Sequence, residues 1–261
     1  MEKNNASKRI VFIGAGNVAT HLAKALQLSG HVLVQVYSRS LQAAELLARQ
    51  VGALPCTDLS KLQEADFYIY SVSDSALPTV IEQVTQLDGI HVHTTGSVPM
   101  TVFESKFKHY GVFYPLQTFS KEKYIDFKTV PLFLEANSED VFTDLKCLAL
   151  TVSDLCNAAN SDQRIKLHVA AVFACNFSNY FYTIASNLLE KEGLTFDVLK
   201  PLINETSQKI LQLHPYDAQT GPARRNDRET MNKHLEMLDD IELKELYALI
   251  SDRITSLYME K

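Results

Sequence analysis

The run Gly14-Ala15-Gly16-Asn17-Val18-Ala19 follows the apolar stretch RIVFI and opens a segment of helical periodicity. In a GxGxxA pattern at that place, the first glycine permits a tight turn and the second lets a pyrophosphate approach the backbone. The small Ala19 keeps the helix close to the sheet. Unpaired N–H groups and the positive end of the helix then face the phosphates. The next strand ends in Tyr37-Ser38-Arg39-Ser40, with no acid. An NAD-preferring site carries an acid there for the ribose hydroxyls. Two hydroxyls and a guanidinium suit a 2′-phosphate instead, so the expected cofactor is NADP, as NADPH. Val72-Ser73-Asp74 follows the strand-like ADFYIYSV, where the backbone would pass under the nicotinamide-side ribose; Asp74 could equally cap the next helix. His93-Thr94-Thr95-Gly96-Ser97 ends a further strand, and Thr95 and Gly96 are expected to border the nicotinamide and the substrate.

A second set of polar residues lies on a long helical segment. At about 100° per residue, His168, Asn176, Asn179, Thr183, Ser186 and Asn187 share one arc, opposite Phe173, Phe177, Phe181, Ile184 and Leu188. Such a stripe lines a wet cleft or faces solvent or a second subunit. His168 and His234 are candidate proton donors, since histidine as a residue type exchanges protons near neutral pH; a lone histidine is more often structural than catalytic. Near the C-terminus stands TGPARRND. Gly221-Pro222 enforces a turn and Asp227 can cap the next helix. Arg224 and Arg225 there would clamp a substrate carboxylate or a cofactor phosphate, or form an ion-pair knot.

These residues need elements to hold them. Strand and helix signals alternate up to about residue 150, which means βαβ units and a parallel sheet with right-handed crossovers. GVFYPL and TVPLFLEA extend that sheet. After about residue 160 strands disappear, and helices are expected at 162–192, 196–213, 227–238 and 242–258. The last carries Leu243, Leu246, Tyr247, Ile250, Ile254 and Leu257 on one face, as a core stripe would. The fold class is therefore α/β: a Rossmann NAD(P)-binding domain over 1–158, then an all-α domain over 159–261.

With 261 residues and a net charge of −6, the chain has enough core to fold unaided and lacks the basic face of a nucleic-acid binder. No stretch reaches the roughly 18 to 20 apolar residues of a membrane span. The N-terminus shows no signal region, so a cytoplasmic protein is expected. Cys56, Cys147, Cys156 and Cys175 form no CxxC pair and are expected to be reduced, buried thiols, with no metal site.

The N-terminal part, through residues 14–19, 38–40 and 72–74, resembles the NADP-binding domain shared by deazaflavin-dependent NADP reductases, pyrroline-5-carboxylate reductases and β-hydroxyacid dehydrogenases. Adding YPLQTFS at 114–120, the segment 168–176, and Thr220-Gly221-Pro222 with Arg224 and Asp227, nearly the whole chain is similar to Rossmann-like proteins with a C-terminal domain of unknown function, number 2520. The resemblance implies a helical domain like that of 6-phosphogluconate dehydrogenase relatives, which commonly dimerises. The chain departs from the family in Tyr114, where a His is usual, and in Asn226, where a Gly is usual. Asn176 matches the β-hydroxyacid dehydrogenase Asn, but Val172 stands where their Lys would be. The expected function is NADP-dependent hydride transfer to or from a small carbonyl or imine compound bound between the domains. Asn176, His168 and Asn179 would be catalytic, and Thr95, Arg224, Arg225 and His234 would contact substrate. The rival expectation is a non-catalytic NADP sensor or dimeric scaffold, favoured by Val172 and Tyr114.

Overall fold

The computed structural model describes residues 6–259. It has two compact units, Met1–Phe181 and Tyr182–Lys261. The first is built on strands β1 (Arg9–Ile13), β2 (Val32–Tyr37), β3 (Leu54–Cys56), β4 (Phe67–Tyr70), β5 (Ile90–His93), β6 (Tyr110–Pro115), β7 (Leu132–Ala136) and β8 (Cys156–Ala158). They form one sheet in the order β3-β2-β1-β4-β5-β6-β7-β8. Helices α1 (Asn17–Leu28), α2 (Leu41–Val51), α3 (Leu77–Gln83) and α4 (Glu139–Val152) come after β1, β2, β4 and β7.

The central strands are mostly apolar because both faces of the sheet are covered there, while the edge strands β3 and β8 are largely exposed. In β1, Ile10 and Phe12 enter one core with Leu22, Leu47 and Leu148, while Val11 and Ile13 enter the other with Leu77, Ile81 and Phe103. The sheet is parallel from β3 to β6, as expected. β7 is antiparallel to β6, with Tyr114 opposite Phe133. Between them lies only a loop with one 3-10 turn, Phe127–Thr129, and without a crossover helix the chain must return antiparallel. α4 supplies the missing crossover to β8, a short parallel strand the sequence pattern does not reveal.

The single helix expected over 162–192 is three segments: α5 (Ser161–Ala171), a π-helical stretch Val172–Phe177, and α6 (Ser178–Lys191). α5 opens with a reciprocal cap between Asn160 and Gln163. The second unit continues with a 3-10 turn Phe196–Leu199, α7 (Lys200–Gln212), α8 (Pro215–Ala218), α9 (Arg228–Met237) and α10 (Ile241–Met259). Among the described residues, no helix is long and apolar enough to cross a membrane.

Two expectations about burial fail. The face of α10 read as a core stripe is only partly covered: Leu243, Leu246, Tyr247 and Ile254 are half-buried, Ile250 and Leu257 are exposed, and the buried positions of this helix are Ser251 and Thr255. Of the cysteines, only Cys56 is buried; Cys147 and Cys156 are half-buried, and Cys175, on the uncovered π-helical stretch, is exposed.

The second core contains an aromatic stack around a buried histidine. The His91 ring lies between Tyr68 and Phe107, at centroid distances of 4.6 and 3.5 Å. Its Nδ1 meets the Tyr70 hydroxyl at 3.0 Å and its Nε2 the Leu87 carbonyl at 3.1 Å. Burial pushes its pKa down from 6.5 to about 4. The folded state thus holds the neutral ring while the unfolded chain binds a proton below pH 6.5. Stability is full above that pH and falls as pH drops through the window from 6.5 to about 4, by up to about 1.4 kcal/mol per pH unit. Melting curves from pH 7 to 4 are expected to show this acid loss. His91→Leu should melt lower at pH 7 yet lose less on acidification; an unchanged acid slope would contradict the assignment.

Candidate functional site

The parallel strands β1, β4, β5 and β6 point their carboxyl ends to one edge of the sheet, and the sequence changes direction between β1 and β4 there. Ligands of open α/β sheets bind at such a switch point. Gly14 occupies it with φ of 122°, donating its N–H to the Tyr37 carbonyl at 2.8 Å. A Cβ on Gly14 would lie 2.1 Å from the Ser71 carbonyl oxygen, so the turn admits no side chain. At Gly16 a Cβ would meet no protein atom within 4 Å. The fold leaves that space open.

Gly16 is the N-cap of α1, and no side chain caps this helix. By contrast Ser40, Ser138 and Asn160 cap α2, α4 and α5. The amides at the start of α1 therefore remain for an anion, with the positive helix end behind them. Ala15 and Ala19 are buried under the turn, Ala19 completely. Val18 is half-buried. The Asn17 carboxamide donates to the Phe119 carbonyl at 2.8 Å, and His21 Nε2 lies 2.9 Å from the Ser120 carbonyl oxygen. These contacts hold the loop after β6 against the first turns of α1.

At the end of β2, the Ser38 hydroxyl oxygen accepts from Ser40 N–H, and the Ser40 hydroxyl oxygen accepts from Ala43 N–H, both at 3.3 Å. Each O–H remains a donor. Arg39 is exposed and, among the described residues, makes no ion pair. Hydroxyl donors, an unneutralised guanidinium and an uncapped helix fit a dinucleotide with an additional phosphate.

The remaining turns meet beside this one. Thr94 Oγ1 donates to Ser71 Oγ at 3.2 Å. Val72 is half-buried and Ser73 exposed in the same loop. Asp74 does not cap α3: its carboxylate accepts from the Ser97 hydroxyl, joining the loop after β4 to that after β5. Thr95 Oγ1 accepts from Val98 N–H at 3.2 Å, closing the turn that carries Gly96. Thr95 N–H also donates to His93 Nδ1 at 3.2 Å. Burial, helped by the Arg164 charge, lowers the His93 pKa to about 3, so this ring stays neutral.

Gly96 is buried, and a Cβ there would strike the His168 ring, 2.5 Å from Nδ1. His168 sits in the last turn of α5 and is half-buried. Its Nδ1 is 3.0 Å from the Tyr114 hydroxyl, at the carboxyl end of β6. Tyr114 is 8% exposed; burial, with Asp74 nearby, raises its pKa. Thr95, Gly96, Tyr114 and His168 thus form one group at the sheet edge. In the sequence, Tyr114 stands out only as a departure from a family pattern.

Asn176 is exposed within the π-helical stretch, and Asn179 is exposed in the first turn of α6. A π turn adds about one residue to the helical ladder, rotating the residues before it by roughly 100° against those after it. The uniform advance that put His168 on one arc with Asn179 and Thr183 is broken there.

Three expected substrate contacts belong to the second unit. Arg224 donates to the Gln219 carbonyl and its guanidinium lies 5.1 Å above the Tyr258 ring, which stacks on Tyr216 at 4.5 Å. It is held in a backbone and aromatic knot rather than against an acid. Arg225 is exposed and, among the described residues, makes no ion pair. His234 Nδ1 is 2.7 Å from the Tyr247 hydroxyl, tying α9 to α10. Asp227 caps α9, accepting from Thr230 N–H at 3.1 Å, as expected. Asn226 takes φ of 53°, the left-handed conformation in which a glycine is more usual.

Comparison with known proteins agrees with this layout. Residues 9–92 match the family described as NADP oxidoreductase coenzyme F420-dependent, and residues 130–254 match the domain of unknown function DUF2520. A "putative NADP oxidoreductase" from Bacteroides fragilis is 47% identical, with TM-score 0.89 over 96% of this chain and 98% of that one. An imine reductase from Myxococcus stipitatus in complex with NADP+ is 17% identical, with TM-score 0.67 over 97% of this chain and 93% of that one. A pyrroline-5-carboxylate reductase from Coxiella burnetii is 16% identical, with TM-score 0.58 over 98% of each chain. The last two share the fold. No curated protein matches the chain.

The two glycines of the phosphate turn should separate folding from binding. Gly16→Ala is expected to melt within a few degrees of the parent, since replacing a helix-capping Gly by Ala costs roughly 1 kcal/mol or less. Calorimetry with NADPH should show weakened binding. Gly14→Ala should lose folding as well, because its Cβ collides with the Ser71 carbonyl just after β4. Equal damage to folding from both would refute the distinction.

Proposed function

The chain belongs to the family of Rossmann-type NADP oxidoreductases that carry the C-terminal domain DUF2520, and on that premise we propose that it reduces a small imine or carbonyl compound with NADPH. One observation carries this reading: the imidazole of His168 packs directly on Gly96, at the same sheet edge as the Gly14–Gly16 turn. NADPH, when bound, supplies a hydride. The substrate carbon receives it, the π-electron pair moves to the nitrogen or oxygen, and that atom takes a proton from His168, which recovers it from solvent. Asn176 and Asn179 would orient the polar group of the substrate. Arg39, with Ser38 and Ser40, would hold the 2′-phosphate. Of the arginine pair, Arg225 is the one whose guanidinium is available to a carboxylate. The imine is preferred over the carbonyl because two proteins of this fold are named as reductases of C=N bonds.

Binding and turnover test the reading separately. NADPH should bind more tightly than NADH, and Arg39→Ala should cost roughly 10- to 100-fold in NADPH affinity, the value of one charge-assisted contact, with little change for NADH. NADPH oxidation should occur with a panel of cyclic imines, including pyrroline carboxylates. His168→Asn should lower that turnover by roughly 100-fold or more. Binding without turnover across imines and carbonyls would overturn the hydride-transfer assignment.

We also propose that the functional form is a homodimer. Phe173 is 65% exposed, and Phe177 and Phe181 are 44% and 41% exposed on successive turns. Leu202 at 61% and Leu211 at 79% continue the pattern in α7. Each large apolar side chain left in water forgoes about 1.5 to 3 kcal/mol of burial. A second copy offers the same faces in return, as isologous dimers do. Sedimentation analysis should give a dimer at micromolar concentration, and Phe173→Asp with Phe177→Asp should give a monomer or aggregate. A monomeric parent would end the proposal.

A further inference from the structure

We propose that Tyr114 is the positioning residue of the reaction: its hydroxyl holds His168 by Nδ1, so that Nε2 is the ring atom that exchanges the proton with substrate. The inference rests on the reading of His168 as proton source.

Three observations support it. Tyr114 Oη lies 3.0 Å from His168 Nδ1. Gly96 abuts the Nδ1 and Cγ side of the same ring, 2.5 and 2.6 Å from where a Cβ would stand. That edge is therefore closed on both flanks, and Nε2 is on the far edge. Tyr114 is itself fixed, because it is 8% exposed in β6, with Phe133 opposite on β7. An imidazole held at one nitrogen and reacting at the other is the general arrangement of an oriented acid–base histidine.

The choice of a phenol matters. A hydroxyl both donates and accepts. Its oxygen accepts from Nδ1–H when the ring is charged, and it goes on accepting from Nδ1–H in the neutral ring left after Nε2 has released its proton. The ring is thus held through both protonation states. An ammonium at 114 could not accept at all, and a carboxylate would accept but add a negative charge that favours the protonated ring. The charged groups facing the phenol are Asp74, from the loop after β4, and Arg164, from α5. Burial and Asp74 keep the hydroxyl protonated, so it accepts from Nδ1–H without placing a negative charge beside the ring.

The test uses the full-length protein and NADPH as the probe. Nitrogen NMR of the 15N-labelled protein reads both ring nitrogens of His168. The neutral ring is expected to carry its proton on Nδ1 in the parent, with Nε2 unprotonated, a readout that needs no variant. Tyr114→Phe should move the neutral ring toward the Nε2–H tautomer while leaving NADPH affinity within about 2-fold, since the phenol contacts no phosphate site. With any imine turned over, Tyr114→Phe should lower kcat by roughly 10- to 100-fold at constant KM for NADPH, a part of the general-acid contribution. In the His168→Asn background it should change nothing further. A parent ring that is neutral with its proton on Nε2, a tautomer unchanged in Tyr114→Phe, or fully additive losses would each overturn the inference. Absence of NADPH binding to the parent would instead defeat the proposed function, and the ring tautomer would still decide the Tyr114–His168 bond.

Discussion

The buried guanidinium of Arg164 is the constraint on which the site's geometry depends. Its side chain has no solvent exposure, and it pairs with Glu135 of β7, whose side chain is 12% exposed. It also donates to the Val98 carbonyl at 2.5 Å and to Ser161 Oγ at 3.3 Å. Ser161 in turn donates to both carboxylate oxygens of Glu135. A charge so far from water is tolerable only with its partner in place; deleting one member of such a pair costs roughly 3 to 5 kcal/mol. One side chain thereby joins the far side of the sheet, the loop after β5 and the first turn of α5. His168 lies one helical turn further along α5, so its place against Gly96 is inherited from this anchor.

The same edge shows how sterics and chemistry divide the glycines. Gly14 and Gly96 are demanded by the protein, one by the carbonyl of Ser71 and the other by the ring of His168. Gly16 is demanded by nothing in the fold, and its open space stands over the uncapped start of α1. A backbone turn that excludes side chains without filling the volume is what a phosphate needs: N–H donors at contact distance and no competing cap. Asn17, within the phosphate turn in sequence, uses its carboxamide on the Phe119 carbonyl instead. Its carboxamide is thus committed to the fold.

Much of this was legible in the sequence because it is local. Apolar runs ending in glycine, an acid-free Ser38-Arg39-Ser40 and an Asp227 three residues before the amide that it caps carry their meaning within a few residues. The illegible parts depend on distance. Arg164 and Glu135 are 29 positions apart, and an arginine in a helical segment reads as surface until the sheet closes over it. Tyr114 and His168 are 54 positions apart. The reversal of β7 results from the lack of a crossover helix, which is visible only once the strands are known. The π-helical stretch leaves no mark in the periodicity of so apolar a segment, and it broke the single polar arc. The stripe on α10 illustrates a further limit. Periodicity reports that a face prefers burial, and it says nothing about which surface meets it.

The two arginines of TGPARRND show that environment, not residue type, assigns a charge its role. Arg224 has its guanidinium over the Tyr258 ring and its N–H groups turned to a main-chain carbonyl, contacts that use its planarity more than its charge. The Tyr258 hydroxyl reaches the Tyr216 carbonyl, and Thr255 donates to the Ala223 carbonyl at 2.9 Å, so α10 gathers the turn from below. The left-handed Asn226 then redirects the chain so that Asp227 caps α9. Within this knot every element is needed to hold Arg224, and none is needed to hold Arg225. Hydrogen bonds from Thr230 hold the Asp227 carboxyl below its usual range, and Arg225, exposed beside Arg224, acts through its charge to help hold it there.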